Sequence, residues 1–370
     1  MTSVYETAAE KILDEAVAIQ QVPAPTFEED QRSTHVYHRF NAMGLEQVER
    51  DELLNVYARI PGGNGPPLVA SAHLDTVFHL DTALSVRREK QRIHGPGIGD
   101  NSLAVAVLVH IKALTEKFSG TPVGDIILVA NTREEGLGNL AGIKAAVERL
   151  APENPRAYLV LEGLDIDRIY IRGVGSRRYN ITATARGGHS WSDFGAASAV
   201  HSLIDFGAAL TQLPLETRPK TTLNIGVIRG GRSVNTIADK AHMLLDLRSE
   251  SEDCLDRLAA QVTELAERVP GQDAALCCER IGHRPAGGIA EDDPLVRLCC
   301  RVYQDLGLDQ PVLKAGSTDA NIPFSKHIPA VCLGLTRGGN THLESEYIDT
   351  PPLASGVQVL LEVIRRLMYA

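Results

Sequence analysis

Four apolar runs in this chain each end in a cluster of polar, mostly ionisable residues, and that pattern restricts the available folds more than any other feature. The runs are PPLVASAHLD (66–75), DIILVANTREE (125–135), AYLVLEG (157–163) and IPAVCLGLTRGGNTH (328–342). Short runs rich in Val, Ile and Leu, alternating with segments of helical period, are the signature of an α/β layer fold. In open α/β sheets, ligands bind outside the carboxyl ends of the strands. His73, Asp75, Glu134, Glu135, Glu162 and His342 are therefore expected to converge at one edge, joined by Asp100 from the glycine-rich loop GPGIGDNS.

Helical spacing of Leu103, Val107, Leu108, Ile111, Leu114 and Phe118 places a helix directly after that loop. Thr26 and Glu29 have capping-box spacing ahead of a segment running to Met43, which predicts a helix start there. Further on, RRYNITATARGG, TTLNIGVIRGG, AHMLLDLRSE and ALCCERI alternate as strands. Two helical segments lie among them: SAVHSLIDFGAALTQL, and a stretch whose inward face runs from Leu255 to Val269. The order strand, helix, strand, strand, helix, strand is that of a ferredoxin-like unit. The expected organisation is a larger α/β domain made of residues 1–178 and 284–370, with a βαββαβ unit inserted at 179–283. The segment PPLASGVQVLLEVIRRLM closes the chain as a helix.

A chain of 370 residues, 44% apolar, can bury a full core and supports two domains. Its formal net charge of -10 is spread along the sequence and offers no basic stripe, which argues against nucleic acid as a partner. No apolar stretch reaches the roughly 18 uninterrupted residues of a membrane span. The N-terminal segment mixes acidic with apolar residues, unlike a signal peptide. A soluble cytoplasmic protein is the expectation. Cys254, Cys277, Cys278, Cys299, Cys300 and Cys332 show no C-x-x-C spacing and are expected to be buried free thiols.

So many carboxylates in one cleft would repel each other and lose hydration, at several kcal/mol per buried ion, unless cations compensate. Two imidazoles with several carboxylates and no thiolate suit zinc, cobalt or manganese better than calcium or magnesium. The spacing His73-Leu74-Asp75 puts both polar side chains on one face of an extended strand, where Asp75 can orient the imidazole. Of the adjacent Glu134 and Glu135, one can bind metal while the other takes a proton from water attacking a carbonyl. No G-x-S-x-G elbow supports a serine nucleophile, and GPGIGD lacks the order of a dinucleotide fingerprint.

At these residues the sequence resembles the M20 metallopeptidases, a family of carboxypeptidases, di- and tripeptidases and N-acyl amino acid deacylases. SAHLDTVF, GPGIGDNS, TREEGLG, LEG, RGGHS, GGRSVNTIADKA and GGNTHLESE occur in the family's order. The resemblance implies a mixed-sheet, zinc-exopeptidase-like catalytic domain binding two divalent metal ions, with a ferredoxin-like lid that also dimerises. It implies His73 and Glu162 on one metal, Glu135 and His342 on the other, and Asp100 bridging them. It further implies Glu134 as general base and His189 as the group steadying an oxyanion, with Asn235 and Arg248 lining the substrate cleft. Its substrates would be small peptides, with a lean toward tripeptidases from LDLRSES and EEGLG, or N-acyl amino acids; a homodimer joined through the lid is expected. A non-catalytic binding protein on the same scaffold is the remoter alternative, and an intact Glu134 argues against it. Arg232, Arg248 and Arg337 are candidate clamps for a substrate carboxylate, and the loop AGSTDAN is a further candidate contact.

Overall fold

The middle of the main sheet is four parallel strands, which is why the polar ends of the four apolar runs share an edge. In the computed structural model, which describes residues 4–268 and 273–369, the chain divides into two compact units. One comprises Met1–Gly173 with Gly288–Ala370, the other Val174–Gly287. The larger unit is built on a nine-stranded mixed sheet. Across its centre lie Gly124–Asn131, Gly65–His73, Ala157–Glu162 and Ala330–Gly334, each parallel to the next. Val56–Ile60 continues the sheet on one side and Arg168–Gly173 on the other, both antiparallel to their inner neighbours.

Side chains alternate between two apolar layers, as the period of a strand requires. Leu68, Ala70 and Ala72 face the layer formed with helices Val4–Gln20, Leu103–Thr115 and Leu353–Met368. Val69 faces the opposite layer, where Ile143, Ala146 and Val147 of helix Ala141–Leu150 pack with Phe324. Being covered on both faces, the central strands carry continuous apolar runs.

The inserted unit, taken by itself, is a four-stranded antiparallel sheet in the order Thr221–Gly230, Lys240–Ser249, Gly175–Ala185, Ala274–Arg284. Helices Ala199–Leu210 and Glu252–Arg268 supply Leu203, Phe206, Leu258 and Val262 to a core shared with Ile181, Met243 and Leu245. Counting its strands along the chain, the spatial order is 2-3-1-4, the split βαβ arrangement of a ferredoxin-like unit.

The structure departs from the sequence expectations at several points. The inserted unit starts at Val174 and ends at Gly287, wider than 179–283, because its first strand begins at Gly175 and Ser176 pairs with Arg284. Val269 lies outside the described residues. The second helix spans Asp30–Ala42 and has no side-chain cap, so the Thr26–Glu29 capping box does not form. Instead the Thr26 hydroxyl donates to Asp75 Oδ2 at 2.9 Å, a tertiary bond that outcompetes the local one. All six cysteines are free, but only Cys254, Cys299 and Cys332 are buried; Cys278 and Cys300 are half-buried, and Cys277 is exposed on the outward face of a strand at the sheet edge. Ile98–Thr115 is long and apolar enough by composition to cross a membrane; 78% of it is buried, as a core helix covered on all sides would be.

Candidate metal centre

Apart from the clamp candidates Arg232 and Arg337, ten residues were singled out above; seven of them belong to the larger unit, and the structure gathers these at the carboxyl ends of the parallel strands. His73 and Glu162 are the last residues of Gly65–His73 and Ala157–Glu162, and Glu134 and Glu135 follow Gly124–Asn131 by three and four residues. Asp100 comes from the turn Ile98–Ser102, and His342 from the segment after Ala330–Gly334. Gly163 permits the close approach of the Asp100 turn: a Cβ there would lie 2.1 Å from the Gly99 carbonyl oxygen.

Asp100 stands at the centre. Its Oδ1 lies 3.1 Å from His73 Nε2, and its Oδ2 lies 3.1 Å from His342 Nε2. Glu162 Oε2 is 3.7 Å from His73 Nε2, and Glu135 Oε1 is 3.1 Å from His342 Nε2. Three groups of candidate ligands thus form, each with its donor atoms within 4.8 Å: His73–Asp100–Glu162, Asp100–Glu135–His342 and His73–Glu134–Glu135. The donor set fits two hard or borderline divalent cations with one shared carboxylate. His73 Nδ1 lies 3.0 Å from the backbone carbonyl of Asp75, which directs Nε2 at the carboxylates, as a ligating imidazole requires.

Asp75 therefore acts differently from the sequence expectation. Its carboxylate is 3.6 Å from His73 Nδ1, too far for a hydrogen bond, and its carbonyl orients the ring instead. The strand ends at His73, so the alternation that would have brought the carboxylate alongside no longer applies. Oδ1 accepts the Glu134 N–H and Oδ2 the Glu135 N–H, each at 2.9 Å. Burial favours the protonated acid, yet these N–H groups and the adjacent His73 keep the Asp75 carboxyl below its ordinary range.

The titration behaviour of the cluster is that of excess negative charge. Burial pushes Glu162 up to about 7, with Asp100 and Asp319 adding to the effect and His73 opposing it. Hydrogen bonds to Asp100 and Glu135 raise His342 to about 10. Burial works against protonation of His73, but Asp100, Asp75 and Glu162 outweigh it and raise that imidazole too.

Sequence reasoning missed two residues around this cluster. Arg32 is fully buried and donates to the carbonyls of Val22, Leu74 and Gln20, clamping the peptide between His73 and Asp75. Burial pulls its guanidinium down to about 10, opposed by the Asp75 carboxylate. Glu346 is equally buried and accepts N–H bonds from the Asp100 turn. Its position four residues beyond His342, in GGNTHLESE, was the available signal.

The other three residues lie in the inserted unit. His189 and Asn235 are neighbours: Gly188–His189 pairs with Thr236–Ile237, and Ser190 N–H donates to the Asn235 carbonyl at 3.1 Å. His189 Nδ1 accepts from the N–H groups of Trp191 at 3.2 Å and Ser192 at 3.4 Å, so its Nε2 carries the proton and is available to donate. Arg248 is not with them. It pairs with Ser176, whereas the strand end leading to His189 pairs near Lys240, a separation of about 26 Å along the sheet. Its guanidinium is engaged by Asp246 at 2.7 Å.

An α/β sheet with a carboxylate–histidine cluster at its strand ends, interrupted by a ferredoxin-like unit, defines a class of metal-dependent hydrolase folds. The family model described as peptidase family M20/M25/M40 matches residues 69–366, and the chain belongs to that family. Carboxypeptidase G2 of a Pseudomonas species is 24% identical over 310 residues, covering 80% of this chain and 72% of that protein. A probable carboxypeptidase of Aspergillus clavatus is 27% identical over 63% of this chain, but the match spans only 56% of the fungal protein. Among solved structures, a tripeptidase from Staphylococcus aureus superposes with a TM-score of 0.81 at 20% identity, covering 97% of this chain and 98% of that one. A Bacillus subtilis protein described as a dinuclear metal binding peptidase from the M20 family has a TM-score of 0.72 at 15% identity, covering 98% and 99%. At these identities the likeness speaks for the fold.

Proposed function

We propose that the chain is a dinuclear-metal exopeptidase cleaving amide or peptide bonds of small peptides, tripeptidase-like in type, with zinc as the first candidate cation and cobalt or manganese next. The observation that carries this is the Asp100 carboxylate, whose two oxygens each lie 3.1 Å from a different imidazole. His73 and Glu162 would hold one ion and Glu135 and His342 the other, with Asp100 shared. Cations in these positions supply Lewis-acid polarisation of the scissile carbonyl and acidify water.

The protein's own groups do the rest. Glu134, its backbone anchored by Asp75, takes the proton of the attacking water on a carboxylate oxygen and returns it to the leaving nitrogen. His189 donates from Nε2 to the oxygen on which negative charge develops, and Asn235 contacts the substrate beside it. Arg248, already paired with Asp246 and far from His189, is assigned no part. Two chains joined through the inserted unit are the proposed assembly, and light scattering at about twice the 40.0 kDa of one chain is the corresponding result.

The deciding experiment is hydrolysis of a mixed panel of di- and tripeptides and N-acyl amino acids after chelation, with zinc or cobalt added back. Metal-restored cleavage of free peptides supports the reading. Cleavage confined to N-acyl amino acids makes the protein a deacylase, and silence under every metal with both ions bound leaves a non-catalytic scaffold.

A further inference from the structure

Glu346 has no part in the chemistry above, yet it is 0% exposed in a turn whose preceding residues 341–345 are all exposed. Its Oε1 accepts the N–H groups of Gly99 at 2.7 Å and Asp100 at 2.9 Å, and its Oε2 accepts that of Gly97 at 3.2 Å. Its backbone carbonyl accepts a fourth, from Gly95, at 2.9 Å. The same short turn carries His342 and is closed by Leu343 N–H to Asn340 and Glu346 N–H to Leu343, both at 2.9 Å. One end of this turn thus faces Asp100 through the His342 imidazole, and the other grips the backbone that presents Asp100.

A buried carboxylate is costly unless donors compensate it, and an apolar side chain would fill the space more cheaply. Convergent backbone N–H groups form a concave site complementary to one anion. We propose that Glu346 is a positioning residue that registers the Asp100 turn against the His342 turn, so that the Asp100–Glu135–His342 cation pocket assembles as a unit. The inference rests on the dinuclear reading given above.

The test is calorimetric titration of metal-free wild-type protein and Glu346→Gln with zinc, and separately cobalt, alongside thermal melting of both metal-free proteins. Glutamine keeps the size of the side chain and one acceptor oxygen, but turns an NH2 group toward the N–H donors. Loss of a hydrogen-bond partner behind a ligand weakens metal binding about 10- to 100-fold. The expected result is a loss of that size for the ion at Glu135 and His342, a smaller loss for the other ion through the shared Asp100, and an unchanged metal-free melting temperature. Excess metal should then restore kcat at unchanged KM.

Wild-type affinity for both ions in the folded variant would overturn the proposal. So would equal weakening of both ions together with a lower metal-free melting temperature, the signature of a general structural role. Should Glu346→Gln fail to fold, Glu346→Asp, which keeps the charge one methylene shorter, serves for the same comparison. A wild-type chain taking up fewer than two ions would overturn the dinuclear reading and the positioning role with it, whereas two ions bound by the variant with wild-type affinity would sink only the latter.

Discussion

The backbone N–H of Glu134 donates to Oδ1 of Asp75 at 2.9 Å, so the side chain proposed as general base is aimed by a buried carboxylate, from the other end of its own residue. The neighbouring Glu135 N–H uses the second oxygen. In Asp75→Asn one of these N–H groups faces a carboxamide NH2, donor against donor. A fall in kcat/KM of about 10- to 100-fold is expected, the range for groups that orient metal ligands. Steady-state kinetics on the cleaved peptide checks it, and wild-type kinetics would remove Asp75 from this role.

Glu134→Gln separates chemistry from cation binding. Two candidate ligand groups, His73–Asp100–Glu162 and Asp100–Glu135–His342, remain without Glu134. The variant should keep its metal content by elemental analysis while turnover drops at least about 10²-fold, the lower end for loss of a general base.

Leu108 is fully buried in the layer between the main sheet and its helices. Leu108→Ala should destabilise the protein by about 2–5 kcal/mol, the usual cost of such a cavity. Denaturant unfolding with the midpoint shifted at constant slope is the expected form of the result.

Within the inserted unit, Glu252 accepts from the Ala286 N–H at 2.7 Å, Arg177 at 2.9 Å and His283 at 3.3 Å. Burial alone would raise its carboxyl, but these partners lower it to about 2, against 4.5 for an ordinary glutamate. Its contribution to stability is therefore complete above pH 4.5 and disappears as pH falls through about 2. Glu252→Gln should flatten the stability profile across that interval, measured by denaturation at stepped pH. An unchanged profile would show that other acids dominate there.

Trp191 is the chain's single tryptophan and is 86% exposed, two residues after His189. Intrinsic fluorescence of the isolated chain should resemble that of a solvated indole and be quenched readily by acrylamide. If two chains associate through this loop, dilution should increase the quenching.

The strand runs and the cluster at their ends were legible because both are written locally. Each run of Val, Ile and Leu stops where the chain leaves the sheet, and His73 and Glu162 are the stopping residues. What escaped were residues whose partners are backbone atoms far along the chain. Arg32 sits in DQRSTHVYHRFNA, a segment polar enough to pass for a surface helix, and its hydrogen bonds reach carbonyls as distant as Leu74. Glu346 binds N–H groups 246 to 249 residues away; GGNTHLESE places it close to His342 in sequence but says nothing of those partners. Thr26 was misread for the opposite reason. Its spacing to Glu29 satisfies a local rule, but the buried Asp75 carboxylate is the stronger acceptor.

The strand Ala330–Gly334 lies between Ala157–Glu162 and Arg168–Gly173, which are separated in sequence by only a short turn. During synthesis the chain emerges from its N-terminus. The gap in the sheet must therefore stay open until Ala330–Gly334 has left the ribosome. Val174–Gly287, with its own core, can settle in the meantime. The pocket that needs His342 comes last, so a nascent chain cannot acquire hydrolytic competence before its main sheet has been zipped shut.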